Sequence, residues 1–204
     1  MDALKTFIAL LALINPLGVL PMFISLTQGY SLKEKRRTIR ITAFTVISVV
    51  TVCALLGEQI IAFFGISTAS LQVAGGLLMA LNMLNAKMGG ARTTDEELDE
   101  AEHKNTLGVV PLGIPLLTGP GAISTVIVYA DKAKGAMDYT VIIGCGVGIA
   151  ALVWITLQLA DPINRIMGRS GINIATRIMG LLVAAVAVEF IVEGLKTMLP
   201  ALAR

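Results

Sequence analysis

An apolar run extends from residue 4 to residue 28, and in its middle stands Leu13-Ile14-Asn15-Pro16-Leu17-Gly18-Val19-Leu20-Pro21. A run of this length and polarity has one favourable form in hydrocarbon, a helix whose backbone groups bond one another. The prolines oppose it. A proline inside a helix removes a ladder hydrogen bond and costs about 3 kcal/mol. The carbonyls it frees meet no water in lipid, so such an interruption persists only when packed in protein or lining a wet cavity. The rest of the chain must therefore fold around this segment. A second interruption, Leu117-Thr118-Gly119-Pro120-Gly121-Ala122-Ile123-Ser124-Thr125, lies 104 residues on (Pro16 to Pro120), again within an apolar run.

Composition places both interruptions in a membrane. Of 204 residues 55% are hydrophobic and 15% charged, with a mean hydropathy of +0.81, and the charges collect between apolar runs. This predicts an all-α membrane protein with a single transmembrane domain over 1–204. No small-residue cleavage site follows the first run, so it is expected to remain as a span rather than be removed as a signal peptide.

Six apolar runs, 4–28, 40–64, 67–86, 107–130, 139–160 and 175–199, can each cross about 30 Å of hydrocarbon. The hydrophilic segment 87–106 carries an acidic stretch from Asp95 to Glu102 and reads as a solvated linker. Orientation follows the Lys and Arg distribution. Lys33, Lys35, Arg36, Arg37, Arg40, Lys87, Arg92, Lys104, Arg165, Arg169 and Arg177 fall on one side, against Lys5, Lys132, Lys134, Lys196 and Arg204 on the other. Eleven against five predicts a cytoplasmic linker and puts both termini outside the cytoplasm.

The 104-residue shift that lays Pro16 on Pro120 also lays Gly76-Leu77-Leu78 on Gly180-Leu181-Leu182 and sets Asn85 against Glu189. The expectation is two repeats, about 1–86 and 107–204. Three spans in each make them enter the membrane in opposite directions, a 3+3 inverted-topology repeat with helices 1 and 4 broken at mid-membrane.

A broken helix bares N–H groups and a positive dipole end on one side, carbonyls and a negative end on the other. A zwitterion needs both, and two inverted breaks supply them without a charged side chain. Candidate substrate-binding residues are therefore Asn15, Pro16, Gly18, Thr118, Gly119, Pro120, Gly121, Ser124 and Thr125. The absence of bulk predicts a small neutral solute, although small residues also serve close helix packing. Glu189, an acidic group deep in the last span, should face the bundle interior or a cavity. It is a candidate for a coupling proton or sodium ion. Asn85 is the other candidate, with interhelical hydrogen bonding alongside Asn82 as its alternative. Glu193 is expected to pair with Lys196, and Asp161-Pro162 reads as a helix stop.

Other chemistries find little here. Cys53 and Cys145 stand alone in apolar runs, suggesting small buried hydrophobes more than a redox pair. His103, the one histidine, lies in the acidic segment, so no imidazole chemistry, metal site or cofactor is expected. With no histidine and no aspartate pair in the spans, an intramembrane protease is disfavoured.

Ile14-Asn15-Pro16-Leu17-Gly18 with Pro21, and Thr118-Gly119-Pro120-Gly121-Ala122-Ile123-Ser124-Thr125, resemble the MarC family of bacterial integral membrane proteins. The resemblance runs over essentially the whole chain. It implies a six-helix inner-membrane protein and, as for some members, transport of small neutral amino acids such as glycine or alanine. Together these readings predict a secondary transporter, not an enzyme. Its partners would be a small neutral amino acid, membrane lipids and a proton or sodium ion, with no nucleic acid; the oligomeric state is left open. The alternatives are a thiol-redox enzyme using Cys53 and Cys145, and a non-transporting scaffold.

Overall fold

The computed structural model describes residues 2–87, 107–110 and 112–199. All but the first residue of the predicted acidic linker thus lies outside the described residues. Among those described, every regular element is helical.

Helix α1, Ala3–Ile14, starts where the Asp2 carboxylate accepts from the N–H groups of Leu4 and Lys5, a standard N-cap. It ends at Asn15, which takes the left-handed conformation at φ 42° and ψ 71°. Asparagine is one of the few side-chain-bearing residues that enters this region readily. The short helix α2, Leu20–Leu26, follows, with Pro21 in its first turn.

Helix α3, Leu32–Phe63, begins well ahead of the apolar run at 40. The reason is a reciprocal capping box: the Ser31 hydroxyl accepts from Glu34 N–H, and Glu34 accepts from Ser31 N–H at 2.8 Å. Lys33 to Arg40, expected in a loop, therefore ride on a helical extension of the span. Helix α4 covers Thr68–Lys87.

The fourth apolar run opens with a π-helical stretch, Leu112–Leu117, in which Ile114 is extended. Helix α5, Pro120–Asp131, starts after it, and α6 covers Ala136–Gln158. Helix α7 runs from Ala160 to Met198 through a kink at Gly168, φ 61°. Asp161-Pro162 therefore does more than stop a helix. Helix α6 ends just before it, and the pair then forms the first turn of α7, where a proline's missing N–H has no helical partner to lose.

Among the described residues, three helical segments are long and apolar enough to cross a membrane alone: α3, α6 and Ser170–Met198 of α7. The first and fourth predicted spans are divided. Twelve-residue α1 and twelve-residue α5 each reach about 18 Å.

Close contacts give the directions in which helices pack. From α4 to α7, Gln72 meets Glu193, and a Cβ added to Gly76 would lie 2.7 Å from the Ala187 carbonyl oxygen. Numbers rise on one helix as they fall on the other, so the pair is antiparallel. Helices α3 and α6 are antiparallel as well, with Lys35 reaching Asp161 just beyond α6 and Val50 against Gly146. Parallel pairs come next. Ala3 and Phe7 of α1 meet Cys145 and Gly148 of α6, and Thr45 and Gly57 of α3 meet Gly113 and Ile127. Finally α4 opposes α5, through Gly75 with Ser124 and Met79 with Gly121. The main core gathers at the centre of this arrangement, with Ile14, Leu20, Phe23, Leu117, Ala122 and Val126 among its buried members.

Candidate functional site

The prolines of the two interruptions begin helices instead of breaking them. Pro21 and Pro120 both occupy first-turn positions, where the missing N–H costs nothing. Pro16 is buried in the turn between α1 and α2. The penalty expected of a mid-helix proline is thereby avoided, and what remains is two sets of exposed helix ends inside the core.

At the first, the carbonyls of Ala12, Leu13 and Ile14 accept no backbone hydrogen bond from the described residues, because Pro16 has no N–H and Gly18 N–H turns to the Asn15 carbonyl at 3.0 Å. Asn15 is 4% exposed. Its Oδ1 also accepts from Gly18 N–H at 3.2 Å, closing the turn, while no described residue accepts from its Nδ2. A Cβ on Gly18 would lie 2.5 Å from Asn15 Nδ2 and would push the Asn15 amide away from its bond with Gly18 N–H.

At the second, Thr118 closes the π-helical stretch. Its N–H and its hydroxyl both donate to the Gly113 carbonyl, at 2.9 and 2.6 Å. Helix α5 then starts at Gly119 without any side-chain cap. The N–H groups of Gly119, Gly121 and Ala122 find no backbone acceptor among the described residues. Such a start carries the positive end of the helix dipole. Ser124 and Thr125, 3% and 0% exposed, donate their hydroxyls back to Pro120 and Gly121 carbonyls at 2.7 and 2.8 Å. Their protons are committed, so toward any solute these oxygens act as acceptors.

The two interruptions adjoin. A Cβ on Gly121 would touch Leu13 of α1 at 3.6 Å and press on Met79 Cγ of α4 at 2.7 Å. Gly75 of α4 lies directly over Ser124. A narrow groove beside the start of α5, too tight to admit a water-sized sphere, is lined by Thr118, Ala122, Ile123 and Val126 and, from α3, by Val49, Val50 and Cys53. The space available to a solute is therefore small and mostly apolar away from the helix ends.

The coupling candidates fare differently. Glu189 is exposed in the single chain, although its neighbours Ala187 and Phe190 are buried; it does not turn into the bundle as its depth suggested. Asn85 lies on α4, and its side chain is outside the described residues. Glu193 pairs not with Lys196 but with Lys132, which follows α5, at 2.7 Å, and it also accepts from Gln72 of α4 at 3.1 Å. That pairing is invisible to a local spacing rule, because it depends on how α4, α5 and α7 meet. Cys53 and Cys145 are free thiols, the latter directed at the Ala3 carbonyl at 3.6 Å. Among the described residues no group of acidic, cysteine or histidine side chains could hold a metal ion.

Apolar helices of spanning length, exposed large hydrophobic side chains and polar groups gathered inward define a multi-pass integral membrane protein. A family description, MarC family integral membrane protein, matches residues 2–199. The chain belongs to the MarC family. It is 37% identical over 202 residues to the UPF0056 membrane protein YhcE of Escherichia coli, covering 97% of this chain and 94% of that one. It is 35% identical to the UPF0056 membrane protein YvbG of Bacillus subtilis, covering 96% and 95%. A UPF0056 membrane protein of the archaeon Methanocaldococcus jannaschii is 34% identical, covering 93% and 94%. Each is named only as a membrane protein, and no solved structure matches the chain.

Proposed function

We propose that this protein is a secondary transporter of small neutral amino acids, working by alternating access from a site between its first and fourth spans. The observation that carries the reading is the meeting of two unfinished helix ends in the core: the free carbonyls closing α1 and the uncapped N–H groups opening α5. The solute's carboxylate is assigned to Gly119, Gly121 and Ala122 N–H. Its ammonium is assigned to the Ala12–Ile14 carbonyls, with the Ser124 and Thr125 oxygens as further acceptors. Crowding by Met79 and Leu13 at Gly121, and by Gly75 at Ser124, favours a side chain no larger than that of glycine, alanine or serine.

The helix pairing supports a 3+3 inverted repeat with broken first and fourth spans. Under the 104-residue shift, α3 corresponds to α6 and α4 to α7, and each packs antiparallel on its counterpart. The parallel pairing of α1 with α6 corresponds to that of the fourth span with α3. A two-fold axis in the membrane plane requires this pattern, and transporters built this way bind solutes at the repeat interface. The basic-residue asymmetry favours termini outside the cytoplasm, which in the bacterial inner membrane that the family resemblance implies would be periplasmic. Glu189 and Asn85 are kept as candidates for a proton or sodium site.

The test is uptake of labelled glycine, alanine and serine by purified protein in liposomes, with imposed proton and sodium gradients. Gradient-dependent uptake lost in Gly121→Val is the expected result. No uptake or exchange of any of the three, in either direction, refutes the proposal. If Glu189→Gln leaves the rate and its pH and sodium dependence unchanged, the coupling role of Glu189 is abandoned.

A further inference from the structure

Among the described residues, the polar side-chain contacts that tie the first half of the chain to the second lie at opposite ends of the bundle. At the end bearing the start of α1 and the end of α7, Gln72 of α4 is 3% exposed and donates Nε2 to Glu193 of α7 at 3.1 Å. The other Glu193 oxygen accepts from Lys132 at 2.7 Å. Lys132 directly follows α5, whose opposite end is the uncapped start at Gly119. At the far end of the bundle, Lys35 in the first turns of α3 reaches Asp161 in the first turn of α7 at 3.7 Å.

We infer that these two ties are the gates of the transport cycle, Gln72–Glu193–Lys132 closing the end that carries the termini and Lys35–Asp161 closing the other. This deepens the alternating-access reading and rests on it. With both ties made, the conformation is occluded, in keeping with the tightness of the groove beside Thr118.

The chemistry suits doors more than staples. The Lys132 and Glu193 side chains are 43% and 51% exposed, those of Lys35 and Asp161 27% and 64%. An ion pair as accessible as Lys35–Asp161 is replaced by water at little cost, and at the other end the crossing contact is the single Gln72–Glu193 hydrogen bond, made at a half-exposed carboxylate. Their position matters as much. Gln72–Glu193 joins α4 of the first half to α7 of the second, and Lys35–Asp161 joins α3 to α7, so rocking one half against the other must break one of these while the other holds. Lys132–Glu193 lies within the second half and holds the Glu193 carboxylate in place for Gln72. Tyr129, Glu189 and Lys196 flank the first tie, and Glu193 is the one carboxylate there that bonds both Lys132 and Gln72.

Cys53 is the reporter, because it lines the groove with Thr118 and Ala122. In a Cys145→Ser background, its labelling by a membrane-impermeant maleimide is measured in right-side-out and in inside-out vesicles. Glu193→Gln should accelerate labelling about fivefold or more, the factor that follows from losing ~1 kcal/mol, from the face bearing the termini only. Lys35→Met should do so from the opposite face only. Gln72→Leu should behave as Glu193→Gln does, and it serves as the test if the charge variant does not insert. Labelling that rises equally from both faces, or changes with none of the variants, overturns the proposal and leaves the ties as structural contacts. The assay needs no substrate, so a failure of glycine uptake and a failure of gating give different results.

Discussion

Gly76→Ala gives the sharpest test of the packing on which the site depends. An alanine Cβ at this position would lie 2.7 Å from the Ala187 carbonyl oxygen, 2.8 Å from Ile191 Cγ1 and 3.2 Å from Ile191 N. Ordinary contact begins near 3.4 Å, so α4 and α7 must separate by about 0.7 Å. Two of the three neighbours are backbone atoms and cannot rotate away. Overpacking of this kind costs about 1–3 kcal/mol. Against it stands the gain from replacing glycine by alanine inside a helix, about 1 kcal/mol. Gly144→Ala supplies the matched control, since that glycine is exposed within α6 and its Cβ would meet nothing within 4 Å. The propensity gain is common to both variants and cancels in the comparison, leaving the overpacking cost alone. At about 2–4 °C per kcal/mol for a chain of this size, Gly76→Ala should unfold about 2–12 °C below Gly144→Ala. The assay is thermal unfolding of the two purified variants in the same detergent, followed by Trp154 fluorescence. Equal midpoints would refute the claim that α4 and α7 meet backbone to backbone.

Other outcomes follow from the same geometry. Asn15→Gly keeps access to the left-handed conformation and should unfold within about 1 kcal/mol of the parent, whereas Asn15→Ala should lose about 1–2 kcal/mol, both read as thermal midpoints in the same detergent. Thr125→Val, which keeps the shape and removes the hydroxyl bonded to the Gly121 carbonyl, should cost about 1 kcal/mol of stability and raise the KM for glycine uptake about tenfold, the factor for one lost hydrogen bond of about 1.4 kcal/mol. Ser31→Ala removes the capping box of α3 and should lower stability by about 1 kcal/mol, with no change in KM.

Much of the helical order was legible in the residues themselves. The apolar runs at 40–64, 67–86 and 139–160 fall on α3, α4 and α6, because hydropathy is a local property and a helix is the local answer to hydrocarbon. The interruptions were legible for the same reason, as prolines and glycines act on their own turn. Two further local signals bear on helix ends. Ser31-Leu32-Lys33-Glu34 spells the capping box that starts α3 early, and Asp161-Pro162 opens a helix as readily as it ends one. The hydroxyl bonds of Ser124 and Thr125 to the preceding turn were likewise within reach of local rules, and they turn two general hydrogen-bonding groups into acceptors.

By itself, the sequence determined that this chain is a membrane-embedded helical protein with two apolar runs interrupted by proline and glycine, since polarity and proline act over a few residues. Only the tertiary structure decided that the interruptions adjoin at Leu13 and Gly121, that Glu193 pairs with Lys132 and that Glu189 is exposed in the single chain. Those facts depend on the rotation and direction in which the apolar helices pack. In lipid-length sequence every face of a helix is apolar, so periodicity has little amphipathic signal with which to choose the inner one. The choice falls to glycine-sized gaps such as those at Gly75, Gly76 and Gly194, which let one backbone approach another and fix which side chains meet.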